Sequence, residues 1–424
     1  MRRRQLITLG TALVAATALT LTGCGRSDTG KDDKAKDVDA GAAKGEITVW
    51  AMGGEGDNLP KLAADFEKAN PGTKIKVTAI PWSAAHDKLA GAIAADKTPD
   101  ISLVGTTWMA EFAKTGALDP VPTLVDKAKF YPASVEPMTV NNQMYAVPWY
   151  VDVRALFGNS KVLSKAGVTK APETWEELKA AAKAAQTKGG AKWGLFIPPG
   201  GLGSGQVLLP LIWQQGGDIM DAGRKKFTLD TPETVKALTY YKSFFEEKIA
   251  PKAFAEGDPE RWFTKNELGY NLNGPFMVSQ FAKLGGAGFE KEFAVSMVPG
   301  AAKRTSFAGG AGLAVFKSAK NRDASWKFVN WLTDAKVQSK WYDIQKDLPS
   351  VPAAWESGPL KDNPNNAAFG KQMTDAKAPP AIQTFEQVNT MIESTVEKVV
   401  KAGLSPADAA KEMQKKADAI GTGN

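Results

Sequence analysis

Flat aromatic faces and hydrogen-bonding side chains sit side by side at several points of this sequence. Trp82 follows Pro81, Thr107 precedes Trp108, Trp149-Tyr150-Val151 leads into Asp152, and Glu55 and Asp57 lie in a glycine-rich stretch. An aromatic face packs on apolar C–H surface. A carboxylate takes a hydroxyl proton in a charge-assisted bond stronger than a neutral one. A ring with apolar faces and a rim of hydroxyls needs both, because a polar group left unpaired in a closed interface costs about 1–3 kcal/mol. The same acids admit a second chemistry: Glu55 or Asp57 across a cleft from Asp152 would form an acid/base pair for glycosidic-bond cleavage. Counting removes other chemistries. One cysteine (Cys24) and one histidine (His86) exclude disulfide scaffolds, Cys/His zinc sites and Cys–His nucleophilic pairs. The run Gly53-Gly54-Glu55-Gly56 lacks the GKS/T ending of a phosphate loop, and Glu55 would repel phosphate.

These residues must be positioned by a folded body. The chain has 424 residues, 43% hydrophobic and 23% charged, which describes a soluble globular protein large enough for two lobes. Of the formal net charge of +7, three charges come from Arg2, Arg3 and Arg4, and acids interleave with lysines beyond them. That is a solvated surface rather than a nucleic-acid stripe. From Glu46 onward strands alternate with amphipathic helices. Strands are predicted over 47–50, 74–80 and 101–104, with a glycine loop over 52–57. Helices carry Leu62 and Phe66, then Leu89 and Ile93 over 83–95, then Met109 and Phe112. The alternation predicts a mainly parallel sheet covered by helices. Ligands of such sheets approach the carboxyl ends of the strands. There the three loops offer Glu55, Asp57 and Asn58, then Trp82, then Thr106, Thr107 and Trp108. The bland alternatives are a solvated turn for the acids and helix packing for Trp108. Thr174–Glu177 reads as a capping box, Thr231-Pro232 and Ser405-Pro406 as helix starts. Gly309-Gly310 leaves backbone groups open to a ligand or serves as a bare hinge. His86 reads as a surface residue.

The N-terminus carries an address. A basic start, an apolar run over 5–21 and the exit Leu21-Thr22-Gly23-Cys24 describe a secretory signal over 1–23 that ends in a lipobox, with Cys24 as the lipidated residue. Arg3-Arg4-Gln5-Leu6-Ile7 leaves Sec and twin-arginine export both open. Residues 24–45 hold one large apolar side chain, Val38, and read as the lipidated cysteine and a flexible tether. Lipid is then the expected anchor to the outer face of the cell membrane.

Several segments, in order, resemble the extracellular solute-binding proteins of carbohydrate ABC importers, the group containing maltose-binding protein. They are EITVWAMGGEGDNLPKLAADFEKANPGTKIKV, TPDISLVGTTWMAEFAKTGALDPV, YAVPWYVDVRALFGNSKVLSKAG with PETWEEL, then LNGPFMVSQF, SFAGGAGLAVF and WKFVNWLTDAKVQSKW. The resemblance runs from about Glu46 to Trp355 and weakly over 378–387. It implies an α/β, two-lobed periplasmic-binding-protein-like fold with a ligand cleft and about three hinge crossings, near 150–154, 305–310 and 345–349. The N-lobe would be 46–151 plus 311–345, and the C-lobe 152–310 plus 346–424. Asp152 matches an acidic sugar ligand of the family, with a structural pair to Arg154 as its rival. Thr107 stands where the family often has a carboxylate, which gives Glu55 or Asp57 more weight. Gln206, in Gly203-Ser204-Gly205-Gln206, matches a loop lining the cleft. Phe276 falls where the family often has a stacking tryptophan, and Phe385 roughly matches another stacking position or is core. With Trp82, Trp108, Trp149, Gly309 and Gly310 these complete the implied ligand site. The implied function is capture of a di- or oligosaccharide and its delivery to the permease subunits of a membrane ABC importer, by a monomer with no enzymatic activity, cofactor, metal or nucleic-acid partner. The alternatives are a secreted glycoside-active enzyme or a receptor for a non-sugar solute; few candidate arginines speak against an anionic one.

Overall fold

A computed structural model describes residues 35–286, 288–356 and 358–423; Cys24 and the signal segment lie outside the described residues. The chain opens with strand β1 (Gly45–Met52), helix α1 (Gly53–Ala69), β2 (Thr73–Ile80), α2 (Trp82–Ala94), β3 (Ile101–Gly105), a single 3-10 turn (Thr106–Trp108) and α3 (Met109–Lys114). Then come β4 (Val147–Val153), β5 (Ala155–Asn159), α4 (Trp175–Thr187), β6 (Trp193–Phe196), α5 (Ser204–Gln214) and α6 (Pro232–Glu246). The last part holds β7 (Leu268–Asn273), α7 (Met277–Gly285), β8 (Phe293–Ser296), β9 (Ser306–Val315), α8 (Arg322–Leu332), α9 (Ala335–Gln345), β10 (Leu348–Pro349), β11 (Ala376–Lys377), α10 (Phe385–Lys401) and α11 (Pro406–Ile420).

Among the described residues two large sheets organise two lobes. The first has the order β10-β4-β9-β3-β1-β2, with β11 beside β9. β1 pairs in parallel with β2 and β3, but β9 runs antiparallel to β3 and β4. The expected mainly parallel sheet is therefore mixed: its returning strand comes from a segment some 200 residues later, which local alternation cannot reveal. The second sheet has the order β8-β5-β7-β6. Each sheet is covered by apolar faces of helices. Ile47, Val49, Leu103 and Leu313 pack with Leu59, Leu62 and Trp326 in the first lobe. In the second, Leu156 and Leu195 meet α4, α5, α6, α10 and α11 on one face, while Phe157, Phe263, Phe281 and Phe293 fill the other. The helix starts follow their sequence signals. Thr174 and Glu177 form both halves of the capping box, and Thr231 and Ser405 cap α6 and α11.

Two local readings change. The stretch 52–57 is no loop, because α1 starts at Gly53 directly after β1. Gly56 allows it: a Cβ there would lie 2.6 Å from the Ala51 carbonyl oxygen and 2.7 Å from Ala79 Cα, so only a bare backbone brings the first turn against both strand ends. The described part of the tether is docked rather than free. Arg322 donates to the Asp37 and Lys36 carbonyls at 3.2 and 2.8 Å, Lys327 pairs with Asp39 at 2.9 Å, and Ala43 is buried.

Candidate functional site

Glu55 stands in the first turn of α1, where the strand end and Gly56 draw the helix inward. Its side chain is buried and accepts a 2.7 Å bond from the Tyr150 hydroxyl. Burial raises its pKa, the Tyr150 bond opposes that, and the Asp152 charge adds to the rise. Trp82, first residue of α2, lies half-buried beside Glu55 and tilts against Trp108 with ring centres 5.6 Å apart. Trp108 packs on Phe112 as well, so it joins the core to an aromatic shelf. Thr107 precedes it in the 3-10 turn, half-buried. Asp347, buried just before β10, accepts from the Trp341 indole at 3.0 Å; burial first and then the Glu55 charge push its pKa well up.

β4 alternates as an extended strand must. Trp149, Val151 and Val153 are buried, and Tyr150 and Asp152 point to the opposite face, half-buried. One Asp152 oxygen bonds Arg154 at 2.8 Å; the other is buried with no hydrogen-bond partner. Burial raises the Asp152 pKa against the pull of Arg154. Arg154 continues to Gln206, donating through Nε at 3.1 Å and also through Nη2, and its guanidinium lies 5.5 Å from the Phe276 ring centre. Across the ladder, β9 sets Gly309 opposite Asp152 and Gly310 opposite Val151. Gly310 has φ +127°, and a Cβ there would come within 2.4 Å of the Tyr150 carbonyl oxygen, so no other residue fits. Both glycines are ladder residues paired with β4.

The second lobe meets this arrangement with the start of α5 and the polar face of α10. Glu386, Asn389 and Glu393 recur at i, i+3 and i+7, one side of a helix. Glu393 is buried and accepts from the Gly203 amide at 2.8 Å. Burial lifts its pKa to about 7 in spite of that bond. Glu386 is half-buried and faces Thr107 and Trp108 of the first lobe; burial raises its pKa, and the Thr107 hydroxyl and the His86 charge oppose the rise.

The structure thus gathers Glu55, Trp82, Thr107, Trp108, Asp152, Gln206, Phe276, Gly309 and Gly310 around the junction of the two lobes. Three expected ligand residues do not join them. Trp149 is fully buried and stacks on Trp341 at 4.6 Å, because its strand position points into the first-lobe core. Phe385 is 2% exposed in the second-lobe core. Asp57 is exposed, carried outward by the helix that replaces the expected loop. His86 is no plain surface residue either: it stacks on Phe112 at 5.3 Å and bonds Glu111 at 2.9 Å. Burial lowers its pKa, and Glu111, Asp87 and Glu386 together raise it further than that. Sequence reasoning missed Tyr150, Asp347, Glu386, Asn389 and Glu393 as neighbours of the site. Alternation along β4 would have found Tyr150, and the helical repeat along α10 the last three; nothing local marks Asp347.

Chemically, the junction offers aromatic faces, carboxylate acceptors and one guanidinium. Among the described residues no group of three or more His, Cys, Asp or Glu is arranged to hold a metal ion. Residues 52–339 match the family described as bacterial extracellular solute-binding protein. The diacetylchitobiose binding protein DasA of Streptomyces coelicolor is 27% identical over 432 residues, covering 98% of this chain and 97% of its own length. Among solved structures, the sugar-binding protein MalE of Xanthomonas citri is similar with a TM-score of 0.79 at 30% identity, covering 89% of this chain and 97% of that one. The GacH receptor of Streptomyces glaucescens, solved unliganded and with acarbose, has a TM-score of 0.82 at 27% identity and covers 89% and 98%.

Proposed function

Because this chain belongs to the bacterial extracellular solute-binding proteins, we propose that it captures a di- or oligosaccharide between its lobes and delivers it to the permease subunits of a membrane ABC importer. Proteins of this family are binding components of transport and not enzymes. The observation that carries the sugar reading is the pairing of the Trp82–Trp108 shelf with carboxylates on the same junction, Glu55 on one side and Asp152 on the other. The shelf takes the C–H face of a ring and the acids take its hydroxyls. Gln206, Phe276 and the backbone of Gly309 and Gly310 complete the ligand contacts, with Thr107 as a first-lobe donor. The relatives described as sugar-binding and diacetylchitobiose-binding support a carbohydrate.

Closure follows from where the chain passes between the sheets. Arg154 alone separates β4 from β5, residues 297–305 join β8 to β9, and β10 pairs back onto β4. Crossings at 150–154, 305–310 and 345–349 then divide an N-lobe of 46–151 plus 311–345 from a C-lobe of 152–310 plus 346–424, and act as the hinge. The protein works as a monomer held to the outer face of the membrane by lipid on Cys24. Ligand shifts the lobes only through contacts made in the closed state.

A thermal-shift panel of mono- and oligosaccharides, followed by calorimetry and small-angle scattering on the best binder, tests this. A di- or oligosaccharide is expected to give the largest stabilisation, to change tryptophan emission and to reduce the radius of gyration. Tight binding with no change in radius would remove the closure, and turnover of a glycoside would remove the transport role.

A further inference from the structure

Helix α5 carries Gln206 to the cleft, yet its own sequence gives it no cap. The N-cap residue, Gly203, sits at φ +88° and has no side chain to cap with. Ser204 is the nearest local candidate, and its hydroxyl donates to the Gly201 carbonyl at 2.8 Å instead. The first amides of a helix need acceptors, because no turn precedes them. Here an acceptor comes from far along the chain: Glu393 of α10 takes the Gly203 amide at 2.8 Å.

The surrounding backbone is shaped for this contact. Gly201 donates to the Glu393 carbonyl at 3.3 Å, and Tyr241 of α6 holds the Pro198 carbonyl. A Cβ at Gly205 would lie 2.2 Å from Asn389 Oδ1, and one at Gly200 would lie 2.5 Å from Glu397 Cα. Only bare backbone lets the turn come that close to α10. Glu393 is 7% exposed, and burying a carboxylate is costly unless hydrogen bonds meet it. Its pKa, raised to about 7 by burial against the pull of the Gly203 and Gly205 amides, records that cost. A carboxylate at a helix N-terminus also meets the positive end of the helix dipole. From the capped end the order passes on. Gln206, in the first turn of α5, accepts from Arg154 Nε at 3.1 Å, and Arg154 bonds Asp152 at 2.8 Å.

We propose that Glu393 is a positioning residue of the cleft: it caps α5 from α10 and so holds Gln206, and through it Arg154 and Asp152, in place for the ligand. It acts from beneath the Gly203 turn and touches no ligand itself. Its part in binding rests on the sugar reading, whereas the cap does not.

The test uses the full chain and the saccharide of the panel that stabilises wild type most. Glu393→Ala is expected to lower calorimetric affinity about 3- to 30-fold, as a lost helix cap would if binding has to restore the order of the helix start. Glu393→Gln keeps a carbonyl acceptor for the Gly203 amide and should recover most of that loss. In a Gln206→Ala background, Glu393→Ala should cost less than about twofold more, because it acts through Gln206. Affinity unchanged in Glu393→Ala, a Gln variant as weak as the Ala variant, or fully additive losses overturns the assignment. Hydrogen exchange on the ligand-free protein checks the cap separately. The Gly203 amide should be protected in wild type and in Glu393→Gln and lose protection in Glu393→Ala. A Gly203 amide that exchanges freely in wild type overturns the cap even where Glu393→Ala does not fold. A panel on which wild type binds nothing would remove the sugar reading and leave the cap to stand or fall by this exchange.

Discussion

At Asp152 one oxygen is bonded to Arg154 and the other is buried without a partner. A buried acceptor left unsatisfied costs about 1–3 kcal/mol, which a ligand hydroxyl arriving there would offset. Asp152→Ala should therefore weaken sugar binding about 10- to 100-fold. It also releases Arg154, so the protein should melt earlier. Arg154→Ala separates the two effects. Arg154 holds both Asp152 and Gln206, so its loss should cost at least as much melting temperature and less affinity. Calorimetry beside melting curves for both variants decides it. An Asp152→Ala protein that melts early and binds like wild type would leave only a structural ion pair. The same stretch shows how a site is read and misread from sequence. Trp149 and Asp152 are three residues apart in an extended strand and must face opposite ways. Treating both as ligand groups broke that rule, and Tyr150 is the aromatic that shares Asp152's face.

Elements place these residues, and their legibility differs with the range of the cause. The caps of α4, α6 and α11 and the alternation of β1 and β2 depend on neighbours within a few residues, and those elements stand where the sequence puts them. The turn of α10 that buries Phe385 and presents Glu386 depends on which side of the helix meets the first lobe, a long-range fact, and a one-residue error exchanges core for cleft. The return of β9 between β3 and β4 is likewise non-local. The contact of α10 with the start of α5 carries a titration. Burial raises the Glu393 pKa from 4.5 to about 7. A carboxyl with a raised pKa contributes its full stability below its unfolded value, and that contribution is lost as pH rises through the folded one. The protein should thus lose on the order of 2 kcal/mol between about pH 5 and pH 8 from this group. Glu393→Gln, neutral throughout, should remove that slope. Melting curves across this range check it, and equal slopes in wild type and variant would assign the titration elsewhere.

For the molecule as a whole, the question is what keeps a two-lobed binder beside its permease. Among the described residues no helix is long and apolar enough to cross a membrane. The attachment proposed above is lipid on Cys24, the only cysteine of the chain, which follows Leu21-Thr22-Gly23 at the end of an apolar run. One acyl chain gives weak, reversible membrane binding and more than one gives stable anchoring, so on this proposal loss of Cys24 should be decisive for retention. The folded body should not notice. Its nearest described segment is held to α8 by polypeptide contacts, with Arg322 on the Lys36 and Asp37 carbonyls and Lys327 on Asp39. Cys24→Ser is therefore expected to keep the melting temperature and sugar affinity of wild type while the protein leaves the membrane fraction or accumulates as uncleaved precursor. Arg322→Ala is the converse control. It loosens the docked segment and should raise its sensitivity to protease, yet leave retention intact if lipid on Cys24 is the attachment. Fractionation with detergent extraction reads both variants. Cys24→Ser protein that stays in the membrane fraction at the wild-type level, already cleaved, would show that something other than lipid on Cys24 holds it there.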